Sequence, residues 1–445
     1  MKNYKEYFKD KKVVIMGLGL LGGALNDAIF LAGCGAELTI TDLKSKSELA
    51  PSLKKLSKFK NIKYVLGHHD LEDFKKADFI LQPGNVPVDS PYLAEAKKNN
   101  IPIHESESLF MEYAENIKVV GVTGTRGKTT TTCLIYEISK SVFGRKVHLG
   151  GNVKGKSTLS LLKDIREGDL VVLELDSWCL HGFGDIGKSP HISVFTNLMS
   201  DHLNYYLKGS KDEKEAEQKY FSDKAQVYLN QKKEDFLICG EKIAKRIGRV
   251  ESQKIIVGKE NVSKDWKLKI KGEHNLENIS CAVKVAEILD VPMNKIKKAV
   301  EKFSGVEGRQ EFLREYRGVK IYNDTTATTP DATIVALKSL GDLKQKNIIL
   351  IMGGADKNLD MSGFINEVPK YCKKVILLAG TGTEKLGGKI DGVVVKSLKE
   401  GLLEALKGAK KGDILLFSPA FASLGMFTNE FDRGEQFVRL IKALK

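Results

Sequence analysis

Short apolar, β-branched runs recur along the chain. Each ends in a cluster of glycine, proline or small polar residues and is then followed by apolar positions at helical spacing. The first strand candidate is Lys12-Val13-Val14-Ile15-Met16, and others lie at 36–41, 62–65 and 78–81. The pattern restarts near residue 116, with candidates at 117–122, 169–175 and 191–198. A third group covers 320–323, 347–352, 374–379 and 413–417. Between these groups, 208–219 is charged and reads as an exposed loop running into a helix, and 272–282 opens a helical pattern that continues through Ile288. The alternation predicts an α/β fold built on doubly wound sheets. Three domains are expected: a Rossmann-like N-terminal domain over 1–115, a P-loop ATPase-type central domain over 116–306 and a Rossmann-like C-terminal domain over 307–445. The length of 445 residues suits roughly three domains.

The breaks between elements carry the candidate chemistry. After the first strand comes G-L-G-L-L-G, with Gly17, Gly19 and Gly22, and Asp42 follows at the end of the second. This is the dinucleotide fingerprint, in which phosphates rest on a helix N-terminus and an acid meets a ribose; NAD and a UDP-sugar both fit it. Pro83-Gly84 at a later strand end serves equally well as a turn or as a ligand loop. The central group opens with G-V-T-G-T-R-G-K-T-T (121–130) between a strand and a helix. Gly124 and Gly127 let the backbone curl so that its N–H groups face a phosphate, with the positive end of the helix dipole beneath. Lys128 then reaches the β- and γ-phosphates, and the Thr129 hydroxyl meets Mg²⁺. The general pattern has a glycine where Val122 stands.

Other candidates are weaker when read alone. Glu174, near the end of a strand, is equally a Mg²⁺ ligand or an acid at a chain reversal. His202, just past another strand, reads by itself as a solvated loop histidine. Lys224 lies among hydrophobes of a helix, and pattern gives it no role. Asn275 and Asn278, three apart at a helix start, cap that helix by default or reach a nucleotide base. In the third group N-D-T-T-A-T-T-P, G-G-A-D-K-N and S-P-A-F-A-S all end strands, which predicts a ligand site at that sheet's edge.

Composition narrows the class. With 42% hydrophobic and 29% charged residues, and no apolar run near the roughly 20 residues of a membrane span, a cytoplasmic location is expected. Six cysteines lie far apart without a C-x-x-C pair, so neither a zinc site nor a disulfide framework is suggested. The net charge of +14 comes from lysines spread along the chain, which favours attraction of small anions over nucleic-acid binding.

Taken in order, G-L-G-L-L-G, T-G-T-R-G-K-T, G-G-N-V, L-E-L-D-S-W, T-N-L-x-x-D-H-L, G-E-H-N-L-E-N, G-R-Q-E, N-D-T-T-A-T, G-G-A-D-K and S-P-A-F-A-S resemble the Mur ligases, the ATP-dependent amide-forming enzymes of peptidoglycan precursor synthesis. The shifted glycine loop is that family's form. The resemblance is greatest to the branch that adds glutamate to UDP-N-acetylmuramoyl-L-alanine. It implies a monomeric enzyme with ATP and Mg²⁺, small-molecule substrates, and neither nucleic acid nor membrane as partner.

By that resemblance the UDP-sugar lies around Gly17, Leu18, Gly19, Leu20, Gly22, Asp42 and Gly84, with Asn152 contacting the substrate. ATP lies on Gly124, Thr125, Arg126, Gly127, Lys128, Thr129 and Thr130, with Asn275, Arg309 and Asp324 holding its base, ribose and phosphate region. Mg²⁺ falls to Thr129, Glu174, His202 and a carbamylated Lys224, and the catalytic set is Lys128, Glu174, His202 and Lys224. Glutamate falls near Thr328, Lys357, Ser423 and Leu424. Two departures stand out: Asp176-Ser177-Trp178-Cys179 where S-S-F-Q is common, and Thr325-Thr326 where a Ser-Lys pair is common. Rival readings are a ligase adding L-glutamate, a Mur-related ligase for another acid, an NAD-dependent oxidoreductase and a non-catalytic nucleotide switch.

Overall fold

Strands β1 (Lys12–Met16), β2 (Glu37–Asp42), β3 (Ile62–Leu66), β4 (Phe79–Leu81) and β5 (Ile103–His104) pair in the order β3-β2-β1-β4-β5, all parallel. The structure, a computed structural model, describes residues 3–444 except 21, 85, 88, 154, 200–202 and 424. A second sheet contains β6 (Lys118–Thr123), β7 (Val147–Gly151), β8 (Leu170–Glu174), β9 (Ile192–Phe195), β10 (Phe236–Gly240) and β11 (Gln253–Val257). Its order is β11-β10-β9-β6-β8-β7, again all parallel. The third sheet contains β12 (Glu311–Tyr316), β13 (Val319–Asn323), β14 (Ile348–Gly353), β15 (Cys372–Leu378), β16 (Val393–Val395) and β17 (Ile414–Phe417). It runs β12-β13-β17-β14-β15-β16, with β12 alone antiparallel among these.

The chain forms two compact units. One comprises 1–263 with 276–299 and contains the first two sheets; the other comprises 264–275 with 300–445 and contains the third. In the first unit one apolar core runs from Phe8, Ile15 and Phe30 through Phe110 and Ile117 to Val171, Phe183 and Phe195, so both sheets share it. In the second unit separate clusters cover the two faces of the sheet.

Most central strands match the apolar runs because parallel strands buried on both faces read as continuous hydrophobic stretches, although the interior strand β10 was not expected. Several strands outside the expected set lie at sheet edges: β5, β7, β11, β12 and β16. β12 interleaves charged and apolar residues, and β16 is only three valines long, too short to stand out as a strand. The strand expected at 191–198 ends at Phe195; Thr196–Leu198 instead leave the sheet as a loop that braces the candidate site. No helix among the described residues is long and apolar enough to cross a membrane. All six cysteines are free thiols.

Candidate active site

β6 lies between β8 and β9, so the loops leaving the carboxyl ends of all three strands emerge side by side. After β6 the chain turns through Gly124 (φ 138°) and Gly127 (φ 82°). A Cβ on Gly124 would collide with Thr196 Oγ1, and one on Gly127 with Asn278 Oδ1, so here glycine permits close approach as well as the turn. Asn197 accepts a bond from Arg126 N at its Oδ1 (2.9 Å) and from Thr125 N at its backbone oxygen (2.9 Å). Thr196 Oγ1 donates to Arg126 O at 2.7 Å. The Thr125 hydroxyl lies 3.2 Å from that of Tyr220. These contacts hold the loop's shape.

Lys128 opens the helix Lys128–Phe143. Its Nζ bends back to donate to Gly124 O (3.0 Å) and Thr125 O (3.2 Å). Lys224, on the helix Glu213–Ala225, is only 1% exposed. Its Nζ also donates to Gly124 O at 3.0 Å and stands 4.7 Å from the Tyr220 ring centre. Two ammonium groups therefore share one carbonyl. Thr129 Oγ1 donates to Glu174 Oε1 at 3.1 Å, which sets a hydroxyl and a buried carboxylate together at the tip of β8. Thr130 follows, half-buried, and the Arg126 side chain is exposed. His202 lies outside the described residues.

The other glycine loop follows β1. Gly17, Gly19 and Gly22 all have positive φ. Asp42 Oδ2 accepts from Leu18 N (2.9 Å) and Gly19 N (3.0 Å), and Oδ1 accepts from Lys44 N (2.8 Å). The acid expected beside a sugar nucleotide is thus placed on the loop's own amides. Leu18 is buried and Leu20 is exposed. Gly84 meets the helix Ser177–Asp185 so closely that a Cβ there would lie 2.6 Å from Trp178 Cβ, which gives this glycine a packing reason. Asn152 N donates to Glu174 O (2.8 Å) and its side-chain amide to Asp176 Oδ2 (3.1 Å). Asp176 also caps the helix Ser177–Asp185 by accepting from Cys179 N at 2.8 Å. One wall therefore runs from Gly84 past Trp178, Asp176 and Asn152 to Glu174 and Thr129.

Behind this wall lies a buried acidic seam. Asp27 Oδ1 accepts from Ser106 Oγ (2.8 Å) and Ser157 Oγ (2.6 Å), and Glu107 Oε1 accepts from Thr158 Oγ1 (2.7 Å). Burial pushes the Asp27 and Glu105 carboxyls up to about 7 and raises that of Glu107 as well.

In the second unit, Asn275 Nδ2 donates to Lys271 O (2.7 Å) at the start of the helix Glu273–Ile288. Arg309 is exposed. Asp324 is buried, accepts from Gln310 N (3.0 Å) and Ser418 Oγ (2.7 Å), and is raised to about 7 by desolvation. Lys357 Nζ donates to Thr328 Oγ1 at 3.0 Å. Ser423 lines a pocket of about 550 Å³ formed with Gly353, Gly354, Gly380, Thr381 and Phe427 at the ends of β14 and β15. Leu424 lies outside the described residues. The Thr325 hydroxyl donates to Glu430 O (3.0 Å), and that of Thr326 to Gly308 O (2.8 Å).

Pattern missed Thr196, Asn197 and Tyr220, whose contacts with the glycine loop cross many residues of chain. Asn278, left open between capping and base contact, packs on Gly127 and accepts from Thr131 Oγ1 at 3.4 Å.

A parallel sheet whose central strand ends in a glycine loop, with the next helix's lysine folded on it and a hydroxyl–carboxylate pair beside it, defines a P-loop nucleotide-binding class of protein. Three family descriptions match the chain: "Mur ligase MurD-like, N-terminal domain" over 11–105, "Mur ligase middle domain" over 122–267 and "Mur ligase, glutamate ligase domain" over 308–421. The chain belongs to the Mur ligase family. It is 37% identical to the UDP-N-acetylmuramoylalanine–D-glutamate ligase of Borreliella afzelii, over 98% of each chain. It is 34% identical to the enzyme of the same name from Roseiflexus sp., over 97% of this chain and 98% of the other. Among solved structures, the UDP-N-acetylmuramate–alanine ligase MurC of Thermotoga maritima superposes with a TM-score of 0.62 at 19% identity, covering 98% of this chain and 100% of that one. MurF ligase of Thermotoga maritima, solved in complex with ADP, gives 0.58 at 19%, covering 99% and 98%. Both share the fold.

Proposed function

We infer that this chain is an ATP-dependent ligase that joins D-glutamate to UDP-N-acetylmuramoyl-L-alanine in cytoplasmic peptidoglycan precursor synthesis. The observation that carries the chemistry is the convergence of Lys128 and Lys224 on Gly124 O beside the Thr129–Glu174 pair. The identity of acceptor and amino acid is supported by full-length likeness to ligases of that name. In this reading 1–115 takes the UDP-sugar, 116–306 the ATP and 307–445 the glutamate, and the enzyme works as a monomer.

The loop after β6 fits a triphosphate. Its backbone curls through Gly124 and Gly127, where any side chain would strike Thr196 or Asn278, so only glycine keeps the turn that leads into Lys128. Lys128, now held by carbonyls, moves to the β- and γ-phosphates when ATP enters and neutralises charge there. Thr129 and Glu174 present hard oxygen donors 3.1 Å apart, a set suited to Mg²⁺, with His202 and a carbamate on Lys224 as further ligands. Bound there, the ion would supply charge neutralisation to the phosphates. For Lys224, the neutral amine adds to CO₂, loses a proton and becomes a carbamate anion. That conversion also removes one of the two cations crowding Gly124 O.

A carboxylate is a poor electrophile. The γ-phosphoryl group therefore passes from ATP to the L-alanyl carboxylate, giving ADP and an acyl phosphate. The amine of glutamate attacks the acyl carbon, phosphate departs, the nitrogen loses a proton and an amide remains. Holding both reactants on one enzyme raises their effective concentration. Asn152, fixed by Asp176, orients the acceptor. Thr328, Lys357, Ser423 and Leu424 receive the amino acid, while Asn275, Arg309 and Asp324 contact the nucleotide.

The test is phosphate release from ATP with UDP-N-acetylmuramoyl-L-alanine in the presence of D-glutamate, L-glutamate or no amino acid. Stimulation by the D enantiomer alone is expected. Stimulation by L-glutamate moves the assignment to the L-adding branch, and indifference to both removes glutamate as substrate.

A further inference from the structure

Arg433 heads the fully buried side chains of the described protein by volume, with no exposed surface. It sits one turn into the helix Glu430–Lys442. Its Nε donates to Thr325 Oγ1 at 3.2 Å, one terminal nitrogen donates to Thr325 O at 2.7 Å and the other to Phe421 O at 3.2 Å. All three acceptors are neutral oxygens, and Glu430 on the same helix supplies opposing charge. Burial lowers the guanidinium only to about 10, so it stays cationic at neutral pH. Taking a charge out of water is costly, and neutral acceptors repay that cost poorly, so stability alone is a weak reason for an arginine here.

What the guanidinium joins gives a better reason. Thr325 belongs to the loop after β13, which carries Thr328; Phe421 belongs to the loop after β17, which carries Ser423. These two loops also meet where Ala420 N donates to Ala327 O (2.9 Å), and the β17 loop meets the loop after β14 through the reciprocal pair Ala355–Ala422 (2.9 and 3.1 Å). Lys357, two residues beyond Ala355, then reaches Thr328. Gly434, next to Arg433, lets the helix press on Thr325, since a Cβ there would lie 2.5 Å from Thr325 Cγ2. With both hydroxyls of Thr325-Thr326 spent on backbone carbonyls, that pair offers the site no cation.

Resting on the glutamate reading of this site, we propose that Arg433 is a positioning residue for the amino-acid substrate. It fixes the Thr328 and Ser423 loops against each other and keeps a buried guanidinium between them. The acyl chemistry and the phosphate loop do not depend on it.

The test uses the full-length enzyme with Arg433→Met, which keeps much of the volume and loses the charge, and Arg433→Lys, which keeps the charge and loses the forked reach. Steady-state KM is measured for D-glutamate, ATP and the UDP-sugar, together with kcat and the melting temperature. Arg433→Met is expected to raise the KM for D-glutamate at least tenfold while leaving the other two within twofold, with Arg433→Lys intermediate. If Arg433→Met does not fold, Arg433→Lys carries the test, and a severalfold rise confined to D-glutamate is required. Equal losses for all three substrates, or a lower melting temperature and kcat with an unchanged KM for D-glutamate, overturn the inference while wild-type turnover still supports the ligase. A wild-type enzyme indifferent to D-glutamate overturns both together.

Discussion

Two glycine loops in the first unit start from the same plan, a parallel strand, a curled turn and a helix, yet they are satisfied by opposite charges. The loop after β1 closes on an internal anion, with Asp42 accepting from Leu18 N and Gly19 N. The loop after β6 closes on internal cations, with Lys128 and Lys224 both donating to Gly124 O. A loop whose amides already hold a carboxylate has little to offer a strongly charged phosphate chain. A loop that stores ammonium groups on its carbonyls becomes more stable when a polyanion takes those groups over. Identical motif logic therefore yields one loop kept in shape by its own acid and another poised for phosphate.

The sharpest way to break this contrast is Lys128→Ala, which removes the transferable cation. Phosphate release in the full assay should fall by about 10³-fold or more. A variant within tenfold of the wild type would refute the role given to Lys128. Lys224→Ala comes next, with an expected loss of about 10²-fold from removing one group that meets developing charge. Short carboxylates such as acetate should restore part of the rate, because they replace a carbamate. Full activity without them shows that no carbamate is needed.

The first loop should respond differently. Asp42→Ala frees two amides and loosens the turn, so the KM for the UDP-sugar should rise about tenfold, the equivalent of ~1.4 kcal/mol, with the KM for ATP unchanged. Parallel changes in both constants would mean that the two loops do not act separately.

A different readout, stability, reports on the buried acid beside the first loop. Asp27 follows the first loop on its helix and accepts from Ser157, in the segment after β7. Its folded carboxyl titrates at about 7 against an ordinary 3.8, so it takes up protons more readily folded than unfolded. Its favourable contribution is therefore complete below about pH 4 and is lost as pH rises through 7, amounting to roughly 4 kcal/mol. The melting temperature should fall between pH 5.5 and 8, and Asp27→Asn should flatten that fall by several degrees. An equal pH slope in both proteins would remove Asp27 from the account, leaving Glu105 and Glu107.

How far these features can be read from sequence depends on whether their causes are local. The strand–glycine–lysine–threonine spacing of 121–129 is local, and so are the apolar runs of β1, β6 and β14. The same holds for Glu174 as an acid at a strand tip. The braces Thr196, Asn197 and Asn278 are brought to the loop only by folding. Lys224 sits in a helix rich in charged residues, where a lysine ordinarily faces water, and the hydrophobes around it do not by themselves tell a buried lysine from an exposed one. Asp42 shows the converse, since its spacing from the glycines was plain while its partners turned out to be the loop's own amides. The edge strand β16 escaped notice because it is only three residues long, Val393–Val395.

The common core of the first two sheets has a practical meaning. Phe8, Phe30 and Phe110 belong to the same apolar mass as Val171, Phe183 and Phe195, and Ser106 and Ser157 meet on one carboxylate. A fragment cut at the sequence boundary near 115 would bare oily surface along its whole inner side and leave Asp27 without one of its two donors. Expressed alone, such a piece should aggregate, whereas a fragment keeping both sheets retains its interior. The boundary near 115 thus separates two sheets that share one apolar core.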